Sequence, residues 1–341
     1  MDLDSLIKLV QEWTNRVPLI ILGSGASVPF GLPTMWTLGE YLKNNISFTD
    51  KEDQLQFGEF KTTLQKVKDL ESTLLQIQLR PNVLNAIINE TWKLVNKQDF
   101  EVYNRLLDNA TDYPLSELTR YLLATAKRKL SIVTTNYDRM AEYAASLSNA
   151  YICTGFAQNY FGHFSKNIHQ YDLTKLSGYR GQVNIWKVHG SLDWFKTKGD
   201  TDIHLPLQQN IPDDFKPLIV TPGLSKFLET QLEPFRTIFT EADNEIEKAN
   251  SYLCIGYGFN DIHVQPKLIN QIKNGKPIIV ITKELTPKTK QAIIDAKCKQ
   301  YVLIEQANAS DSRVYSSSFE GEEILKDLSY WSLSEFLKII K

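Results

Sequence analysis

The sequence has few cysteines, no strong excess of charge and no long apolar run, and each absence excludes a class of protein. Its three cysteines lie far apart and form no CxxC pair, so a disulfide scaffold and a zinc ribbon are unsupported, and we expect no metal. A net charge of −2 without a long basic run argues against direct nucleic-acid binding. No apolar stretch reaches the length that spans a bilayer, and the start, MDLDSLIKLVQEW, lacks the pattern of a signal peptide. We therefore expect a cytoplasmic protein with no membrane partner.

What the sequence does contain is an alternation of short apolar runs and helical patterns. The 341 residues are 42% hydrophobic, which is enough for one large α/β domain or two smaller ones. Continuous apolar runs are typical of strands buried on both faces of a parallel sheet. They are VPLIIL (17–22), LSIV (130–133), VNIWKV (183–188), YLCI (252–255), PIIVIT (277–282) and YVLI (301–304). The alternation predicts an α/β fold with a doubly wound, Rossmann-like parallel sheet.

One long segment departs from this alternation. Residues 45–114 are rich in Lys, Glu, Gln and Leu at helical spacing and contain no strong strand pattern. We therefore predict two parts: a catalytic domain formed by residues 1–44 and 115–341, and a helical insertion or cap formed by residues 45–114.

Four of the apolar runs end in unusual polar or glycine-rich segments: GSGAS, TTNYD, HGS and GYGFND. The carboxyl ends of parallel strands meet at one edge of an open sheet, where ligands bind at the switch in strand order. We therefore expect these four segments to lie near one crevice.

The GSGAS segment contains Gly23, Ser24, Gly25, Ala26 and Ser27. Its glycines allow a tight turn and a close approach of backbone to ligand, and its amides favour phosphate. A plain strand-to-helix turn is an equally good interpretation. Valine stands where the dehydrogenase fingerprint GxGxxG requires its third glycine, which disfavours a hydride-transfer enzyme.

The TTNYD segment places Asn136 and Asp138 two positions apart, so that in an extended backbone both side chains point the same way. Either residue could simply cap the following helix, since Asn and Asp are good N-caps. A cap accounts for one of the two polar residues but not for the whole segment, which also includes Thr135.

The last two segments are HGS and GYGFND. His189 follows a buried strand and could act as a general base near neutral pH, or it could be a structural surface histidine. Gly256 and Gly258 allow close backbone approach, and Asp261 has the ordinary interpretation of a helix cap.

These segments, in this order, resemble the sirtuin family. GSGAS is similar to its GAGxS phosphate loop, GLP (Gly31 to Pro33) to the start of its GIPxFR loop, and TTNYD to TQNID. HG is similar to the catalytic His-Gly, GYG takes the place of the GTS loop, and VITKE resembles the strand end near the adenine ribose. The resemblance covers residues 17–43 and 116–284 in pieces.

The departures from the family pattern concern the acyl-lysine chemistry. The paired CxxC motifs of the deacylases are absent, and TMW stands where GIPxFR has its arginine. TTNYD, KVHGSLDW, VTPG with SKF, and IGYGFNDIHV resemble the bacterial sirtuin-like NAD hydrolases of antiphage defence, most of all the type partnered with a HerA-type hexameric ATPase. This resemblance implies cleavage of NAD⁺ to nicotinamide and ADP-ribose, and depletion of NAD as in abortive infection. We also expect a homo-oligomer.

The resemblance also implies site residues. Asn136 would orient water and a ribose hydroxyl, Asp138 would hold the nicotinamide amide or stabilise positive charge, and His189 would contact the ribose or act as base. The residues expected to bind NAD are Gly23, Ser24, Gly25, Ala26, Ser27, Pro33, Thr135, Gly256, Tyr257, Gly258, Lys283 and Glu284.

Two alternatives stay open at this point. One is a sirtuin-like deacylase or ADP-ribosyltransferase, which the missing zinc ribbon disfavours. The other is a non-catalytic sensor of NAD or another nucleotide, which the complete Asn–Asp–His set disfavours. The choice between NAD and NADP is also open, because no basic cluster awaits a 2′-phosphate although Lys283 could serve.

Overall fold

The computed structural model of the chain describes residues 3–109, 113–125, 127–170, 177–220, 232–261 and 264–341. Parts of two motifs used for the resemblance, the TPG and SKF residues within 221–227 and the Ile-His pair at 262–263, lie outside the described residues. Among the helices that are described, none is both long and apolar enough to cross a membrane.

The described strands and helices alternate along most of the chain. The strands are β1 (Leu19–Leu22), β2 (Lys129–Thr134), β3 (Tyr151–Cys153), β4 (Gly162–His163), β5 (Gln182–Lys187), β6 (Gly190–Lys196), β7 (Asp202–His204), β8 (Lys216–Ile219), β9 (Tyr252–Ile255), β10 (Ile278–Thr282), β11 (Tyr301–Gln306), β12 (Ser312–Ser316) and β13 (Glu323–Leu325). The helices are α1 (Leu3–Asn15), α2 (Met35–Asn45), α3 (Lys51–Val67), α4 (Leu70–Gln76), α5 (Pro81–Asp108), α6 (Pro114–Leu123), α7 (Met140–Leu147), α8 (Phe235–Lys248), α9 (Gln265–Lys273), α10 (Pro287–Lys290) and α11 (Leu333–Ile340).

The main sheet has nine strands in the order β13-β12-β11-β10-β9-β1-β2-β5-β3. The strands from β11 to β3 are parallel, whereas β12 and β13 add an antiparallel edge that the apolar-run pattern did not predict. Reading β1, β2, β5, β9, β10 and β11 as first to sixth gives the doubly wound order 3-2-1-4-5-6. The predicted fold class is confirmed.

Both faces of this sheet are buried, which explains why its strands are continuously apolar. Along β1, Ile20 and Leu22 belong to one apolar core and Leu19 and Ile21 to the other. Successive side chains of a strand point to opposite faces, so each strand must supply apolar residues at every position when helices cover both sides.

The described part of residues 45–114 is mainly helical, with α3, α4 and the whole of α5 in the segment, as the sequence predicts. Phe60 and Leu64 of α3 and Ile87 of α5 form a separate apolar cluster with α2. Further along α5, Trp92 and Val102 enter the core of the main sheet. The division into a catalytic domain and an insertion stays a prediction.

A second, four-stranded sheet has the order β4-β7-β6-β8, with β4 before and the other three strands after the main sheet's β5 in the chain. Strands β6 and β7 of this sheet form a hairpin whose first strand begins at Gly190. Gly190 has a φ of +90°, and a Cβ there would lie 2.0 Å from the carbonyl oxygen of Leu218 in β8. Glycine is therefore required where the chain turns from β5 into the second sheet.

Candidate functional site

The carboxyl ends of β1, β2, β5 and β9 surround one crevice, at the point where the strand order reverses between β1 and β9. The cavity there measures about 940 Å³ with its open mouth. Eleven of the fifteen predicted site residues line it, namely Gly23, Ser24, Ser27, Pro33, Thr135, Asn136, Asp138, His189, Gly256, Tyr257 and Gly258. The topology thus brings together residues that are more than 200 positions apart in the sequence.

Asn136 bridges the ends of β1 and β2. Its Nδ2 donates hydrogen bonds to the Gly23 carbonyl oxygen at 2.9 Å and to Ser27 Oγ at 3.2 Å. Its backbone N–H donates to Thr134 Oγ1 at 3.1 Å, and that hydroxyl donates to the Leu22 carbonyl at 3.1 Å. With Nδ2 held in this way, the orientation of the amide is set, and its side-chain oxygen is the atom suited to accept a hydrogen bond from a ligand or water.

Asp138 both hydrogen-bonds to the start of helix α7 and lies on the wall of the crevice. Its Oδ1 accepts a hydrogen bond from the N–H of Met140, the first residue of α7, at 3.1 Å. Only 7% of the residue is exposed, and this burial raises the pKa of the carboxyl to about 6, although Lys187 and a hydrogen bond from Ser27 lower it. The result is a carboxyl group that titrates near neutral pH on the wall of the crevice.

Lys187, the last residue of β5, was not identified from the sequence. It is fully buried, its Nζ donates to the backbone carbonyl of Asp138, and it lies 3.0 Å from Glu142 Oε1. A buried ammonium needs such partners. The only signal in the sequence is a lysine at the end of an otherwise apolar run, VNIWKV, which is the wrong residue for an ordinary buried strand end.

His189 also lines the crevice and lies close to a carboxylate. Its Nε2 is 2.8 Å from Asp261 Oδ2, and both residues are buried. Asp261 Oδ1 also accepts the N–H of Val264 at 2.9 Å, next to the start of α9. The ordinary interpretation of Asp261 as a cap is therefore confirmed but incomplete, because the same carboxylate also lies beside the imidazole of His189.

The two glycine-rich loops contact each other through their backbones. The N–H groups of Gly23 and Gly25 donate to the carbonyls of Ile255 and Gly256, both at 3.1 Å. A Cβ on Gly256, whose φ is +58°, would lie 2.2 Å from the N atom of Ala26. The glycines thus serve close packing of β1 against β9, and these two amides already have acceptors within the chain. Phosphate binding by this loop stays a prediction, to which the exposed hydroxyl of Ser24 is better suited.

Four predicted residues do not line the cavity: Gly25, Ala26, Lys283 and Glu284. Lys283 and Glu284 follow β10 on the exposed surface. There the backbone is held by bonds from Gln306 N to the Lys283 carbonyl at 3.1 Å and from Thr282 Oγ1 to the Glu284 carbonyl at 3.2 Å. Their contact with the adenosine side of NAD stays a prediction.

Residues of the helical segment also line the crevice, and the sequence motifs did not predict them. Asp69 and Glu71 at the start of α4 and Val95 of α5 line it. Asp69 caps α4 by accepting the N–H of Ser72 at 2.7 Å. Nearby Tyr257 is 4% exposed, and burial, Asp261 and Glu71 raise the pKa of its hydroxyl well above the usual value. Caps were recognisable in the sequence, but their position beside the crevice was not.

The raised pKa of Asp138 predicts a pH dependence of stability. The folded chain binds the carboxyl proton more tightly than the unfolded chain does, so stability should fall as the pH rises from about 4 to about 6. A shift of about two units corresponds to about 3 kcal/mol. Part of this change occurs below pH 4.5, so we expect Asp138→Asn to gain about 2 kcal/mol relative to the natural chain between pH 4.5 and 7.5, measured as urea unfolding midpoints. The exposed control Asp214→Asn should show no such difference; parallel curves for Asp138→Asn and the natural chain would contradict the prediction.

Part of the chain is similar to known proteins. Residues 130–298 match a family model described as a SIR2-like domain. No curated protein matched the chain. Among solved structures, a Sir2 homologue–NAD complex is 15% identical, with 89% of this chain and 88% of that chain covered and a TM-score of 0.46. An ADP-ribose complex of a mutant Sir2 homologue is 16% identical, with 85% and 88% covered and a TM-score of 0.45. Residues 130–298 are therefore similar to a SIR2-like domain, the family that the sequence resembles.

Proposed function

We propose that this chain is an NAD⁺ hydrolase that cleaves the bond between nicotinamide and ribose. The observation that carries the proposal is the convergence of Asn136, Asp138 and the His189–Asp261 pair on one crevice of a SIR2-like domain. An amide, a carboxyl group and an imidazole have different hydrogen-bonding characters. Together they suit a reaction in which a ribose is held, a water is positioned and a proton is removed. Similar structures solved with NAD or ADP-ribose are consistent with this substrate.

In the proposed reaction the C–N bond between ribose and nicotinamide breaks, and its electron pair leaves with nicotinamide. Water adds its oxygen to the ribose carbon, and one proton is released. Asn136, fixed through Nδ2, presents its oxygen to the water or to a ribose hydroxyl. With Nε2 beside the Asp261 carboxylate, His189 would accept the proton on Nδ1, and the carboxylate would stabilise the resulting imidazolium. Asp138 would bind the carboxamide of the leaving group.

The wider role that we propose is depletion of NAD in the cytoplasm during antiphage defence, in a homo-oligomer that acts with a HerA-type ATPase. Support comes from the resemblance of TTNYD, KVHGSLDW and IGYGFND to that branch of sirtuin-like hydrolases. The absence of the family's paired CxxC motifs and of its GIPxFR arginine supports hydrolysis over deacylation.

The test is release of nicotinamide from NAD⁺ by the purified chain, alone and in lysate of its own cell, compared with His189→Ala. We expect release that His189→Ala lowers by about 100-fold or more, the usual contribution of a general base. His163→Ala, which alters an exposed histidine of β4, is the matched control and should keep full activity. Release only in lysate would indicate a required partner.

Two results would overturn the proposal. Binding of NAD without turnover in either setting would favour a sensor. Deacylation of an acyl-lysine peptide at a rate above that of hydrolysis would favour the deacylase alternative.

A further inference from the structure

A second cavity lies on the far side of α7 from the crevice and shares none of the residues that line it. It measures about 870 Å³ with its mouth and is enclosed by α5, α7, β3 and the start of the second sheet. Much of its wall is apolar, including Tyr103, Leu106, Leu147, Ile152 and Trp194. Such a wall suits the hydrocarbon or aromatic body of a small molecule.

Two polar atoms on residues of this wall lack hydrogen-bond partners among the parts of the chain that the structure describes. They are Glu142 Oε2 and His204 Nδ1, and both atoms are buried. His204 is only 7% exposed. Buried polar atoms in proteins are nearly always paired, so two unpaired ones on a single cavity indicate a missing partner.

Both atoms are suited to accept hydrogen bonds. Glu142 uses Oε1 for Lys187, at 3.0 Å, which leaves Oε2 with its lone pairs. Burial lowers the pKa of the His204 imidazole, which favours the neutral ring. We place its proton on Nε2, the nitrogen that lies 3.9 Å from Asp193 Oδ2. Its Nδ1 is then an acceptor.

No cation among the described lining residues is free to neutralise these acceptors. Arg139 is the arginine of the cavity wall, and it is taken up by Asp99 at 2.6 Å and Asp193 at 2.7 Å. The three carboxylates of this network, Asp99, Asp193 and Glu142, outnumber its two cations, Arg139 and Lys187, so the cavity wall is rich in acceptors and carries one negative charge in excess. A ligand that fits must bring hydrogen-bond donors, and a positive charge would add electrostatic attraction.

We propose that the cavity behind α7 is a binding site for a small primary amine with an apolar or aromatic body, whose ammonium group hydrogen-bonds to Glu142 and His204. The site is separate from the crevice of the proposed hydrolase. The same Glu142 carboxylate pairs with Lys187, which donates to the carbonyl of Asp138, so one network borders both cavities.

The test uses benzylamine as the probe and benzyl alcohol as the neutral control of the same shape. Binding of each compound to the full chain is measured by saturation-transfer NMR titration. We expect benzylamine to bind about tenfold or more tightly than the alcohol, because a hydrogen bond to a charged group is lost in the latter. Glu142→Gln should remove most of that difference. Because turnover of NAD⁺ is not measured, failure here is distinct from failure of the proposed hydrolase.

Glu142→Gln could disturb the pairing of buried Lys187, so a second variant leaves the buried network intact. Ser146 is an exposed residue of α7 on the cavity wall, and Ser146→Trp should block entry and abolish benzylamine binding. Ser334→Trp, at an exposed serine of α11, is the matched control and should bind normally. Equal affinity for amine and alcohol, no binding of either probe, or binding that survives Ser146→Trp would each overturn the proposal.

Discussion

Replacing Asn136 with alanine is expected to lower the rate of nicotinamide release by about 100-fold or more while leaving the fold intact. The side chain is half-buried and holds two partners with Nδ2, Gly23 and Ser27, so its oxygen is presented to the crevice in one orientation. Alanine cannot position water or a ribose hydroxyl. The loss should appear in kcat, because the hydrogen bond accepted by the Asn136 oxygen stabilises the transition state, in which the ribose carbon is electron-poor, more than the bound substrate.

The matched control is Asn149→Ala, which removes an exposed asparagine side chain whose Nδ2 donates to the Gly178 carbonyl at 2.7 Å, away from the crevice. It should keep the natural rate. Thermal unfolding of both variants separates a catalytic effect from a loss of structure. Full turnover by Asn136→Ala would show that the amide has no catalytic part, whichever residues perform the reaction.

Replacing Arg139 with methionine is expected to destabilise the chain by about 3–5 kcal/mol, the cost of leaving buried charges without their partner. Arg139 is 2% exposed and donates to Asp99 at 2.6 Å, Asp193 at 2.7 Å and Asn96 at 3.0 Å. It connects α5, the start of α7 and β6. Methionine keeps much of the volume, so the loss reports the charge and the hydrogen bonds.

Urea unfolding midpoints measure this effect. Arg236→Met is the matched control, because the Arg236 side chain is 58% exposed and pairs with Glu233 at the surface, where an ion pair contributes at most about 1 kcal/mol. A natural-like midpoint for Arg139→Met would mean that solvation of the two aspartates replaces the ion pairs, and that the network does not stabilise the junction of α5 with α7.

The positions of the strand ends were predictable because they depend on local pattern. Continuous apolar runs indicate strands buried on both faces, and the alternation with helices predicts a parallel sheet whose carboxyl ends share an edge. From these rules Asn136, Asp138 and His189 could be placed at one crevice before any coordinates were considered, and the structure places all three on its wall. The antiparallel β12 and β13 were missed because their residues, SRVYS and EIL, do not form a continuous apolar run.

The hydrogen-bond and ion-pair partners of these residues depend on contacts between distant segments, and a local sequence pattern does not indicate such contacts. Asp261 looked like a cap and is one, but its second oxygen reaches His189 across 72 positions of chain. Gly23 and Gly256 looked like residues of ligand-binding loops. In the structure, their lack of a side chain allows the loops after β1 and β9 to pack against each other. The sequence by itself determined the parallel sheet and the edge at which the polar residues gather, since periodicity and strand direction suffice for both. Only the tertiary structure decided the protonation of Asp138, the burial of Lys187 and the cavity behind α7, because each depends on which distant side chains exclude water from the group.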